Sequence, residues 1–161
     1  MLKWYLLFLL CCLPLAGWGE ESVRRISGFQ DNFGNQGSFW LIHYQGQRVP
    51  LLKLKSADRE GDADFVFKEG SLASFESMLQ QLRRSRNTMK KEGFDVLASL
   101  PSNEATLRCM HVRYQGLRLK MLQIEQVPAG SPKREHQISL DSNFAEVQSA
   151  LQKLQRALDA P

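Results

Sequence analysis

One signature occurs twice in this chain, and it limits the fold more than any other feature. Residues 42–48 read Ile-His-Tyr-Gln-Gly-Gln-Arg, and residues 112–118 read Val-Arg-Tyr-Gln-Gly-Leu-Arg, an offset of 70. Over the eleven positions starting at Tyr44 and Tyr114, five are identical. The likeness runs back to Trp40 and Met110, and forward through Val49/Leu119, Leu52/Leu122 and Leu54/Ile124. Downstream, Phe75, Met78 and Leu82 correspond to Phe144, Val147 and Leu151 at an offset of 69. A period this long exceeds the ~20–50 residues of solenoid repeats, so it predicts two packed halves and not an array. Chance likeness between two amphipathic hairpins is the competing explanation.

Each half reads as strands followed by one helix. In the first, 22–29 is a weak strand, while 38–44 and 47–55 are rich in aromatic and branched residues. Gln45-Gly46 between them fits a two-residue hairpin turn, because Gly adopts a positive φ without cost. A short strand at 64–68 precedes Ser71, a candidate helix cap. Leu72, Phe75, Met78, Leu79, Leu82 and Met89 then keep helical spacing up to a stop at Gly93. The second half repeats this order: strands at 94–100, 107–114, 117–127 and 135–140, with the turn Gln115-Gly116. Asp141 or Ser142 would cap a helix whose stripe is Phe144, Val147, Leu151, Leu154 and Leu158. The fold class is therefore α+β: two tandem ββββα or βββα repeats, antiparallel sheet or sheets with two packed helices. Residues 20–92 and 93–161 are the two repeats of one compact domain. Each is expected to close its own interior with its own helix.

A two-residue turn also fixes the register. Tyr114 falls opposite Leu117, Val112 opposite Leu119 and Met110 opposite Met121, on one face. The other face carries Arg113 opposite Arg118, His111 opposite Lys120, and Cys109 opposite Leu122. The first set is expected to be the core face, as are Tyr44, Ile42, Val49, Trp40 and Leu51 in the first half. His43 and Arg48 would face away.

Residues 1–19 read MLKWYLLFLLCCLPLAGWG. A single cation, an apolar run and a small-residue exit are the parts of a secretory signal peptide. The run of thirteen apolar-region residues from Trp4 to Ala16 is short for a bilayer span. Removal of this segment would leave Cys109 as the one cysteine, so no internal disulfide could form. The formal charge would fall from +4 to +3, because Lys3 is the only charge removed. The sequence has no Asn-x-Ser/Thr site. These features predict a periplasmic or secreted protein of a bacterial envelope. A charge excess this mild does not call for nucleic acid.

Two basic groups are candidate binding sites. Arg113, Arg118 and Lys120, together with the repeated Arg48, converge at hairpin ends, where a carboxylate, phosphate or sulfated group could be held. Arg83, Arg84 and Arg86, followed by Lys90 and Lys91, cluster at the end of the first helix. They suit an acidic partner, anionic lipid headgroups, or simply a solvated helix end favoured by its dipole. Catalytic signatures are sparse. Cys109 and His111 share a strand face and could ligate a metal or pair as nucleophile and base. A half-buried cysteine is the plainer explanation. The acids Asp58, Glu60, Asp62 and Asp64 lack the spacing of a calcium loop. Asn32, Gly34, Asn35 and Gly37 make a polar turn around Phe33. No cofactor is implied. The chain reads as an exported, non-enzymatic binding or accessory protein that contacts an envelope protein or an anionic ligand. The alternatives are a small enzyme or metal-binding protein using Cys109 and His111, and a homodimer joined through exposed strand edges.

Overall fold

A computed structural model describes residues 21–161. The export segment predicted at 1–19 lies outside the described residues. Two antiparallel four-stranded sheets follow each other in the chain, each with its strands in sequence order. The first holds β1 (Ser22–Gln30), β2 (Gln36–Tyr44), β3 (Gln47–Lys55) and β4 (Ala63–Val66); α1 (Ser71–Arg84) follows. The second holds β5 (Gly93–Pro101), β6 (Ala105–Tyr114), β7 (Leu117–Gln126) and β8 (Arg134–Ser139); α2 (Phe144–Asp159) follows. The chain is thus an α+β fold of two ββββα units.

The units match in detail. Both hairpin turns put two successive residues at positive φ, Gln45 (48°) with Gly46 (74°) and Gln115 (48°) with Gly116 (78°). That backbone matches the right-handed twist of the strands it joins. The turn glutamines, not glycine, bear the first positive φ, and each donates its side-chain amide to the neighbouring tyrosine hydroxyl, at 3.2 and 3.3 Å. The register is as the turn requires, including Arg113 opposite Arg118 and His43 opposite Arg48. Each first strand has its irregularity at the same place, between Arg25 and Ser27 and between Val96 and Ala98.

The helices depart from the expected plan. They do not close their own halves. The α1 backbone runs beside β5 and β6 of the second sheet, and α2 runs across β1, β2 and β3 of the first. Ser27 of β1 donates its hydroxyl to the Ala150 carbonyl of α2 at 2.9 Å. One core results. It joins Phe39, Leu52 and Phe65 of the first sheet to Leu107, Leu122 and Ile138 of the second, with Leu82 and Leu154 from the two helices. Phe75 of α1 still reaches back to its own half, with ring centroids 6.3 Å from Phe39 and 5.3 Å from Phe67. The buried stripe Phe75, Met78, Leu79, Leu82 has its match in Val147, Ala150, Leu151, Leu154. The helical correspondence is therefore 72 residues, one turn away from the 69 suggested by Phe144, which lies half-buried under Arg83 at 5.9 Å.

The core face is also the reverse of the expectation. Leu107, Cys109, Leu122 and Ile124 lie in the core, and they share the arginine-bearing face of the hairpin. Inward-facing bulk sits far from the turn, where the helices lie. Near the turn the same face carries the cations, and the opposite face carries the aromatics. Tyr44, Tyr114 and Leu117 are exposed, although Met110 and Met121 between the strands are buried.

The helix ends differ for local reasons. Ser71 gives its hydroxyl to the Lys68 carbonyl at 2.7 Å and makes no cap; Gly70, left-handed, occupies the cap position. Asp141 takes the Lys120 N–H and the Ser139 hydroxyl instead of capping α2, which begins after Asn143. Helix α1 stops at Arg84, well before Met89, because Ser85 turns extended with its hydroxyl on the Leu82 carbonyl.

Candidate functional site

The predicted cations at the hairpin ends converge, and they converge on backbone carbonyls. A helix C-terminus leaves its last carbonyls without intrahelical partners and carries partial negative charge. Arg48 donates to the Leu158 carbonyl at 3.3 Å and to the Ala160 carbonyl, both at the end of α2. The equivalent hairpin receives the chain leaving α1. Lys120 reaches the Arg83 carbonyl at 2.8 Å, and Arg118 Nε reaches the Met89 carbonyl at 3.1 Å. Arg113 donates to the carbonyls of Met89 (3.1 Å) and Lys90 (2.6 Å), with the Glu92 carboxylate 3.6 Å from its Nε. Each basic tip therefore grips the end of the helix that the other half contributes.

Asn87 completes the second grip. Its amide donates to the Val112 and Leu119 carbonyls, both at 3.0 Å, and its Oδ1 accepts the Met89 N–H at 3.1 Å. His111 Nε2 lies 2.8 Å from the Ser85 hydroxyl. Burial, then the Lys120 ammonium, holds the His111 pKa below its usual value. Neither contact was legible in the sequence. A polar side chain among carbonyl acceptors has no sequence signature until the topology brings the strands to it.

The second basic group fans out. Arg83 donates to Gln148 Oε1 at 3.3 Å, which ties α1 to α2. Arg84 and Arg86 are exposed to solvent. The Cys109 thiol is wholly buried, and desolvation pushes its pKa up to about 12. At neutral pH it stays protonated, and the thiolate is the nucleophile and metal ligand. Among the described residues, no three His, Cys, Asp or Glu side chains gather to hold a metal ion. In the acidic loop, Lys53 sits 3.2 Å from Asp62 and 2.9 Å from Asp64. Burial alone would lower the Lys53 pKa, but the hydrogen bonds and charges of Asp64 and Asp62 outweigh it and raise it.

Two further polar ties join the sheets. Buried Asp31 accepts the N–H groups of Phe33 and Asn35 in its own turn and that of Ser139 in β8, each at 2.9 Å. Buried His136 accepts the Ser56 N–H on Nδ1 at 3.0 Å. Burial, then Arg59, lowers its pKa.

The surface left open is the other face of each sheet. Val23, Tyr44 and Val66 are exposed on the first, and Phe94, Val96, Tyr114 and Leu117 on the second. Phe94 is 71% exposed, and Val23, its counterpart in the pairing, is 66% exposed. Around them lie half-buried Trp40, Ile42 and Val49, and half-buried Val112 and Leu119. Trp40, Ile42, Tyr44 and Val49, with Val112, Tyr114, Leu117 and Leu119, read as core from the sequence because their composition is that of a core. Among the described residues no helix is long and apolar enough to cross a membrane. Set against known proteins, the sequence matches no family model and no curated protein.

Proposed function

We propose that the protein is a non-catalytic binding protein of the bacterial envelope that contacts a partner protein through the open sheet faces. One observation carries this reading. Seven exposed large apolar side chains stand on the two faces turned away from the helices, with Val23 matching Phe94 and Tyr44 matching Tyr114 across the halves. Contiguous exposed apolar surface with a polar surround is a property of interaction sites. The polar surround is present: Arg108 pairs with Glu125 at 2.9 Å at the far end of the second face, and Lys53 with Asp64 at the far end of the first. The N-terminal pattern of 1–19 supports the envelope location.

The anionic-ligand reading is weaker. Arg48, Arg113, Arg118 and Lys120 spend donors on carbonyls, which leaves Arg84 and Arg86 as the freer cations. Covalent co-purification from intact envelopes separates the two readings. Phe94→Asp with Tyr114→Asp is expected to abolish cross-linking to one specific protein, while Arg84→Glu with Arg86→Glu leaves it in place. The reverse pattern sinks the proposal.

A further inference from the structure

The first strands of the two sheets are equivalent in pairing and different in what they offer at the edge. In an antiparallel ladder, alternate residues turn both N–H and C=O toward the partner strand, and the others turn them away. The two-residue turn makes Tyr44 and Gln47 a bonded pair, and the alternation then runs across the sheet through β2. It leaves Val23, Arg25, Gly28 and Gln30 with backbone groups directed out of the sheet. One contact agrees: Asn143, just before α2, donates its side-chain amide to the outward Gln30 carbonyl at 2.9 Å. The corresponding positions in β5 are Phe94, Val96, Ser99 and Pro101. Proline lacks an N–H and is a residue that blunts a sheet edge.

A groove of about 550 Å³ lies along β1, lined by residues from Arg25 to Gln30, by Gln36, and by Glu146 of α2. A strand edge beside a helix is the setting in which an extended peptide adds to a sheet. Gly28 removes one side chain from this wall, and a Cβ there would meet the Arg25 guanidinium. The guanidinium thus lies over Gly28, on the face where a side chain of an added strand opposite Gly28 would point. The β1 strand SVRRISGFQ carries two cations and no anion. A second copy of β1 would bring two more arginines to the edge, and like charges on neighbouring strands repel.

We propose that β1 receives an extended peptide of a partner protein as a fifth strand, with an acidic side chain of that peptide paired to Arg25. The inference rests on the reading of the protein as a binding protein and names how one partner segment would enter.

The probe is the acetylated, amidated peptide Thr-Val-Thr-Glu-Thr-Val-Thr, titrated into the isotope-labelled protein. The expected result is shifted and exchange-protected amides at Val23, Arg25 and Gly28. N-methylation of alternate peptide amides should abolish the effect. A Glu→Lys peptide should bind about tenfold more weakly, the equivalent of ~1.4 kcal/mol. Val23→Pro removes an outward N–H without touching the β1–β2 ladder, and should weaken binding about tenfold with unchanged melting temperature. Arg25→Glu should reverse the preference between the Glu and Lys peptides. Absence of binding, indifference to N-methylation, or a dimer in light scattering that Val23→Pro dissolves would each overturn the proposal. Shifts confined to Phe94 and Tyr114 would overturn it while leaving the open sheet faces as the binding surface. Loss of the envelope cross-link on Phe94→Asp with Tyr114→Asp, with β1 silent, separates the two failures in the same way.

Discussion

The two hairpin tips do the same task with unequal means. The first holds the end of α2 with Arg48. The second holds the chain after α1 with Arg113, Arg118, Lys120 and His111, and Asn87 of that chain donates back to the hairpin carbonyls of Val112 and Leu119. The difference follows from what each must restrain. At the first tip, a helix end needs partners for its last carbonyls only. At the second, residues 85–92 leave the helix and travel to β5 with neither helix nor sheet pairing of their own. Backbone polar groups of a partly buried segment must find partners somewhere. The additional donors at the second tip provide them. Where one arginine serves the Leu158 and Ala160 carbonyls at the first tip, Arg113, Arg118 and Lys120 serve those of Arg83, Met89 and Lys90 at the second.

Three experiments test how the two halves and their tips differ. The largest effect is expected on separating the halves. Residues 21–92 and 93–161, expressed alone, should each give the collapsed amide spectrum of an unfolded chain, and mixing them should restore dispersed sheet resonances. Independent folding of either half would refute the exchanged core. A smaller effect separates the tips. Asn87→Ala loses three hydrogen bonds and should cost about 1–3 kcal/mol in urea unfolding. Arg48→Ala, at an exposed helix end, should cost about 1 kcal/mol or less. Equal losses would remove the distinction between them. The smallest effect concerns pH. The His136 pKa is lowered in the fold. The folded state therefore binds fewer protons than the unfolded state between that lowered value and the usual value near ~6.5. Stability is complete above ~6.5 and is lost as pH falls from there through the folded pKa. Protonated Nδ1 would face the Ser56 N–H, donor against donor. His136→Asn, whose Oδ1 accepts without titrating, should flatten the melting-temperature slope between pH 7 and 5 to what His111 alone contributes. An unchanged slope would rule His136 out as its source.

The legible parts of this fold are those governed by local spacing. Tyr-Gln-Gly-x-Arg specified both turns and, through them, the register of the two hairpins. Its repetition gave the two-unit architecture. What stayed hidden depends on pairs distant in sequence. The helix exchange has no local signal, because a stripe such as Val147, Ala150, Leu151 and Leu154 fits either sheet equally well. The inverted sheet face has a similar origin. Trp40, Ile42 and Tyr44 next to the turn look more like a core than His43 and Arg48 do. The face was decided farther along the strands, by Phe39 with Leu52 and by Cys109 with Leu122. The repeated arginine was visible as a conspicuous cation. The carbonyls it serves became visible only when the opposite helix arrived.

That exchange bears on how the chain comes into being. Ser27 and the Ala150 carbonyl it holds are 123 positions apart. A ribosome delivers β1 to β4 long before it delivers the rod that shields them. Before α2 emerges, Phe39 has Phe75 of α1 as a neighbour, but the face of β1, β2 and β3 that α2 covers stays open, so maturation must wait for synthesis to pass through the second unit. A polypeptide with this wiring stays unfinished until its last helix has been made.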